Sequence, residues 1–509
     1  MTPSNLPLIG AFGALALLTG VAAVAAPGPE AAEAPAARLP VQRSALVCPA
    51  PTASDLAETQ YTAFTPGGGK AKPGGGGASA GLLPATTATG LGGRKDGKAG
   101  ADGRAGRGKD DKPVVPLESP GSPVVATTSD SSAPALTGTA DGALAPGWTV
   151  QQTSVVAAGR GRGVLGTACT APDTDFWFPS ASTAKERQDF VHLTNPDPTA
   201  AVVDLELYGR GGKLKTTVSD GITVPPRSTV KVLLSTLTQK PTTNVALHAV
   251  ARAGRVGAAV EALDDRIGGD WLSPAADPSG SVVLPGIPKD ATSVRLVALA
   301  TGEDDADLKV RLAGPSGRLT PAGHETLHVK SGMTSAIDLG DLTKGEPGSL
   351  VLTPADGGSG APVVAALRVT RGKGSDQETA FVPAVEPLRD RGTVADNRAK
   401  RSTLALVAPG RTAKVKVTVS AGSEGGSPVS RTYTVKGGTT KAVEPPFPSS
   451  GKGSYALTVE PVSGGPVHAS RMLAIPQGGI PMFTVQTIPD DRGTVNVPHA
   501  EQDLSLLND

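Results

Sequence analysis

The sequence predicts an all-β protein made of tandem immunoglobulin-like β-sandwich units, with a β-propeller as the alternative and with disordered N-terminal segments. Three observations predict it. Short Val/Thr/Leu/Lys runs alternate with period two, as in Val203-Asp-Leu-Glu-Leu-Tyr208, Leu308-Lys-Val-Arg-Leu312 and Lys414-Val-Lys-Val-Thr-Val-Ser420, which gives one buried and one wet face. Gly (65) and Pro (46) make up over a fifth of the 509 residues, so almost every window is interrupted before a helical period can establish itself. A strand, Gly/Arg turn and strand pattern closes on an aromatic step and occurs four times at a spacing of about 100 residues, the size of a sandwich domain rather than of a single propeller blade.

The N-terminus reads as an export element. Residues 6–26 are uncharged and mostly apolar, and about 20 such residues cross a bilayer as a helix. The run ends in Ala23-Val24-Ala25, a small-residue cleavage pattern, so residues 1–26 are a signal peptide or a membrane anchor. Residues 27–43 are an Ala/Pro/Glu spacer, expected to be an extended linker.

The first β unit is expected over residues 44–173. It opens with Ser44-Ala-Leu-Val-Cys-Pro49 and contains a Gly-rich insertion over residues 66–112, with nine basic and four acidic residues and no apolar periodicity. Such a stretch buries too little apolar surface to offset its ordering entropy and is expected to be disordered. Cys48 and Cys169 stand in the first and last strands of this unit and are expected to form a disulfide. Closing so long a loop is worth on the order of 4 kcal/mol and requires an oxidising compartment, in agreement with export.

The second unit is expected over residues 174–268, the third over 269–377, and the fourth with a C-terminal tail over 378–509. Phe176-Trp-Phe178 has echoes at Trp271, Phe381 and Phe483. The four positions Trp177, Trp271, Phe381 and Phe483 are therefore read as aromatics at unit junctions, and Trp177 is expected to be buried. Tandem sandwiches joined in this way are expected to make a stiff rod.

Motifs with chemical meaning have simpler structural readings. His324-Glu-Thr-Leu-His328 matches HExxH, but a zinc site needs both imidazoles on one helical face. Pro321 and Gly323 precede the motif, and on a strand the two rings stand about 13 Å apart at roughly 3.3 Å per residue. Gly161-Arg-Gly-Val-Leu-Gly166 matches GxGxxG, yet a strand follows it where a dinucleotide site requires a helix, so hairpin turn chemistry accounts for it. The Glu303-Asp-Asp-Ala-Asp307 run reads as a solvated turn rather than a calcium loop. His192, His248, His468 and His499 are isolated in the sequence. No catalytic residue, cofactor site or metal site is assigned, and the protein is expected not to be an enzyme. The 48 basic residues are interspersed with 47 acidic ones, which excludes the basic face of a nucleic-acid binder.

Cys48-Pro, Cys169-Thr-Ala-Pro, Phe176-Trp-Phe and Leu193-Thr-Asn-Pro together resemble an exported actinobacterial family catalogued as domain of unknown function 5719. The resemblance covers nearly everything after the apolar run. It implies an envelope-associated location and supplies no activity or catalytic residue. The expected function is a non-catalytic envelope interaction or scaffold module, exported to the outer face of the membrane or secreted. Its expected partner is an envelope protein or wall polymer, with membrane contact through residues 6–26 if these are uncleaved. A wall-glycan-binding module, or an accessory of a cell-wall enzyme, is the alternative.

Overall fold

A computed structural model describes residues 37–67, 79–87, 112–218 and 220–497. The apolar run at 6–26, most of the 27–43 spacer and His499 lie outside the described residues. Within them the secondary structure is all β apart from three single-turn 3-10 segments, and no helix is long and apolar enough to cross a membrane. One compact unit contains the two-stranded ribbon of Ala37–Pro40 with Thr494–Val497. Residues 37–43, expected to be linker, therefore contain a strand.

The other compact unit, residues 40–493, contains eight small sheets in series, two for each of four modules. Module 1 pairs Arg43–Cys48, Leu136–Asp141 and Ala80–Pro84 in one sheet. Its second sheet has the order Val124–Thr128, Ala57–Phe64, Thr149–Val156, Gly163–Ala168. The corresponding four-stranded runs are Ser228–Leu233, Arg187–Thr194, Gly257–Asp264, Gly268–Leu272 in module 2, and Thr334–Asp338, Ala291–Ala300, Val363–Arg371, Glu378–Pro383 in module 3. Module 4 has Thr439–Val443, Ser402–Ala408, His468–Ala474, Phe483–Ile488. The partner sheets of modules 2, 3 and 4 begin with Asp175–Ala181, Val282–Ile287 and Gly392–Asn397.

Alternation decides which face is buried. In Ala413–Gly422 the side chains of Val415, Val417 and Val419 are fully buried, while Lys414 and Lys416 face water. These valines share a core with Leu404, Leu406 and Ala469 of the other sheet. Module 3 is filled in the same way, and Phe483 and Val485 of module 4 join its core.

The modules do not form the expected rod. The last strands Gly163–Ala168, Gly268–Leu272, Glu378–Pro383 and Phe483–Ile488 touch in sequence, and the fourth returns to the first. Each of the opening strands Asp175–Ala181, Val282–Ile287 and Gly392–Asn397 packs on the next module in the cycle, the last of them on Thr149–Val156 of module 1. A linear array leaves both end modules with one apolar face exposed; here those faces cover each other.

Two further expectations are corrected. Trp271 and Phe381 do not open new units: like Phe483, they lie on last strands, paired with Gly257–Asp264, Val363–Arg371 and His468–Ala474, so they finish the preceding sheets. Only Trp177 lies on an opening strand. The insertion at 66–112 is not wholly without structure, because Ala80–Pro84 pairs with Leu136–Asp141 and buries Leu82 completely. Thr86–Thr87 pairs in parallel with Ser228–Thr229. The glycine-rich surroundings mask this short apolar run in any composition average.

Cys48 and Cys169 are bonded, with their Cα atoms 4.3 Å apart. The bond joins the two sheets of module 1, and reciprocal hydrogen bonds between the backbones of Val47 and Thr170 lie beside it. Replacing both cysteines by alanine is expected to cost about 2–4 kcal/mol in denaturant unfolding, and mass spectrometry of the unreduced protein is expected to find no free thiol.

Candidate functional site

The four last strands approach so closely at the centre of the cycle that side chains must be absent at selected points. A Cβ on Gly166 would stand 2.6 Å from Thr484 Cγ2, and one on Gly163 would stand 2.8 Å from Glu378 Oε2. The glycines of the 161–166 motif thus make room for neighbouring modules, and the motif occupies the turn and second strand of the hairpin formed with Thr149–Val156.

Asp270 lies at this centre and is fully buried. Its Oδ1 accepts hydrogen bonds from the Gly166 amide of module 1 at 3.0 Å and from its neighbour Trp271 at 2.8 Å. The Phe381 amide of module 3 and the Thr484 hydroxyl of module 4 face the same carboxyl. Burial pushes the Asp270 carboxyl well above the usual carboxylate range, and these donors offset only part of that rise. The neutral acid is the form that belongs here, and it meets all four modules.

Glu378 forms a second inter-module contact. Its buried carboxylate accepts from Arg162 Nε at 2.8 Å, and Arg162 also donates to the Gln377 carbonyl at 2.7 Å. Burial raises the Glu378 carboxyl to about 7, against the pull of Arg162. Arg471, also fully buried, donates to Gln486 and to the Ala395 carbonyl. Burial lowers it to about 10, so it stays cationic at neutral pH, supported by the charge of Asp396.

From Arg471 the polar groups continue outward. Asp396 is buried with φ 51° and accepts from Gln60 at 2.8 Å, Arg398 at 2.9 Å and Ser454 at 3.2 Å. Beyond them a groove of about 610 Å³ opens between modules 1 and 4, lined among others by Gln60, Val125, Arg398, Ser423, Glu424 and Ser454.

The four aromatic positions are all buried. Trp177 packs with Leu299 and Val364 of module 3 and stacks on His248 at 3.6 Å between centroids. Trp271 meets the edge of His192 at 5.0 Å, Phe381 joins the core of module 2, and Phe483 that of module 3.

His192 is not isolated in space. Its Nε2 lies 3.3 Å from Glu261, whose carboxylate also accepts from Lys231 at 2.6 Å. Burial lowers the His192 imidazole; burial alone would raise Glu261, but His192 and Lys231 outweigh it and hold Glu261 at about 2. The sequence signal was a lone Glu inside the apolar run Ala258-Ala-Val-Glu-Ala-Leu263. His328 lies on the strand Thr326–Val329, 2.8 Å from Asp307, whereas His324 is in the preceding turn. Among the described residues no group of three His, Cys, Asp or Glu side chains is arranged to hold a metal ion.

A protein-family model described as "Family of unknown function (DUF5719)" matches residues 124–446. No curated protein matches the chain.

Two outcomes test the centre. Asp270→Asn is expected to fold with a stability loss under about 1 kcal/mol, because it keeps a neutral acceptor, whereas Asp270→Ala is expected to lose about 2–4 kcal/mol by leaving buried amides unpaired. For Glu378 the folded-state value of about 7 lies above the ordinary 4.5. The stability linked to its proton is complete below about pH 4.5 and lost as pH rises through 7. Between pH 5 and 8 the wild type should therefore lose roughly 2 kcal/mol more than Glu378→Gln, measured by urea unfolding at each pH.

Proposed function

From the premise that the chain belongs to the DUF5719 family, we propose that it is a non-catalytic, exported cell-envelope protein that acts as an interaction or scaffold module. The observation that carries this reading is the use made of the converging polar groups. Asp270 accepts from Gly166 of module 1 and the Arg162–Glu378 pair joins module 1 to module 3, while buried Arg471 holds Gln486 and Ala395 within module 4. Their hydrogen bonds hold backbone and side chains of the protein itself, which is the arrangement of a rigid platform.

Each module has the size and two-sheet core of an immunoglobulin-like sandwich. This favours sandwiches over propeller blades, since a blade is a single sheet that buries its faces only against neighbouring blades. The apolar run at 6–26 and the Cys48–Cys169 bond support export to an oxidising compartment. The platform then displays its loops and the groove between modules 1 and 4 to an envelope protein or wall polymer.

Affinity capture with the full chain from detergent-solubilised envelope, beside sedimentation with purified wall, tests the proposal. Saturable retention of one protein or of wall polymer is the expected result. Absence of both, or cleavage of wall glycan or peptide by the purified chain, would overturn it.

A further inference from the structure

The outermost strand of the second sheet in module 1, Val124–Thr128, differs from its counterparts. It pairs only with Ala57–Phe64, and its outer edge meets no further strand among the described residues. Exposed edges are templates for a further strand unless charge, proline or a covering segment protects them. The equivalent strands in the other modules have such protection. Ser228–Leu233 carries Lys231 and is covered in part by Thr86–Thr87, Thr334–Asp338 carries Asp338, and Thr439–Val443 carries Lys441. Val124-Val-Ala-Thr-Thr128 has no charge and no proline, and its composition favours strand pairing.

The two faces of this strand also differ. Val124 and Ala126 pack against the core of module 1 and alternation turns Val125 and Thr127 to the opposite face, while Val124 and Val125 both line the groove. Across the groove, Glu424 is exposed and has no cationic partner among the described residues. We propose that an extended polypeptide strand from a partner protein adds to the outer edge of Val124–Thr128, with an apolar side chain against Val125 and a basic one facing Glu424. A second copy of this chain is a poor occupant. It would bring its own Glu424 to the same seam, and its Val124–Thr128 strand has no basic residue to meet the first.

This inference rests on the interaction-module reading, and the test separates the two. The probes are fluorescein-labelled nine-residue peptides of alternating Val and Thr carrying either two Lys or two Glu, titrated against the full chain by fluorescence anisotropy. The Lys peptide is expected to bind at least fivefold more tightly than the Glu peptide. Glu424→Lys is expected to reverse that preference, and Val125→Lys and the more exposed Thr127→Lys are each expected to weaken binding at least tenfold with unchanged unfolding midpoints. No binding, equal binding of both peptides, or binding indifferent to the edge variants would overturn the proposal. So would a dimer in sedimentation that Thr127→Lys dissociates, because the edge would then belong to a second copy. If Thr127→Lys still captures the envelope partner as the wild type does, the edge inference fails while the module reading stands. Loss of all capture by the wild type defeats that reading instead.

Discussion

Everything in the larger unit depends on four strands meeting around one buried carboxyl. An ionised Asp270 without a cation beside it would carry a desolvation cost of several kcal/mol. The same group as a neutral acid accepts from two amides and keeps a proton to donate, so it satisfies backbone that the closing of the cycle buries. The requirement is geometric as well as electrostatic, because Gly166 brings the chain within hydrogen-bonding distance only while it has no side chain. A larger residue there would push Thr484 outward and separate modules 1 and 4 at the point where the cycle closes.

The four junctions share this centre but differ in their outer parts. Between modules 1 and 2 the contact is Ala57, Val156 and Leu165 against Ala259 and Trp271. Between modules 2 and 3 Trp177 meets Leu299 and Val364, and between modules 3 and 4 Val283 and Val351 meet Val407. The junction between modules 4 and 1 has two apolar parts, Phe64 with Ala395 and Ala456, and Val164 with Leu473 and Met482, and beside them the polar set Gln60, Asp396, Arg398 and Ser454. It is the junction that joins early and late parts of the chain.

Much of the β architecture was legible because period two is a local signal. Lys414 to Ser420, Leu308 to Leu312 and Val203 to Tyr208 all lie in strands whose inward residues can be read from alternation alone. The cysteine pair was legible from its placement in one unit. Cyclic closure was not, because it depends on contacts between strands about a hundred residues apart with little in common: Gly-Val-Leu-Gly-Thr-Ala, Gly-Gly-Asp-Trp-Leu, Glu-Thr-Ala-Phe-Val-Pro and Phe-Thr-Val-Gln-Thr-Ile. The aromatic steps were visible, but Trp271 and Phe381 were assigned to the units that follow them. A residue buried between two modules carries no mark of which sheet supplies its backbone.

The opening strands show why the polar route to the groove escapes sequence reading. Each breaks register with its partner at one place, with a left-handed residue there: Ser180 at φ 85°, Gly286 at φ 88° and Asp396 at φ 51°. Glycine adopts this conformation freely, while serine and aspartate accept a cost on the order of 1 kcal/mol that local contacts must offset. In module 3 glycine is also required sterically, since a Cβ would collide with Ser470 of module 4. In module 4 the next neighbour is module 1, and Asp396 uses its side chain to bind Gln60 across the junction and Arg398 on its own side. One backbone device thus has three side-chain solutions, each set by the module it faces. The aspartate solution places a charge between the central cluster and open solvent, beside the groove between modules 4 and 1.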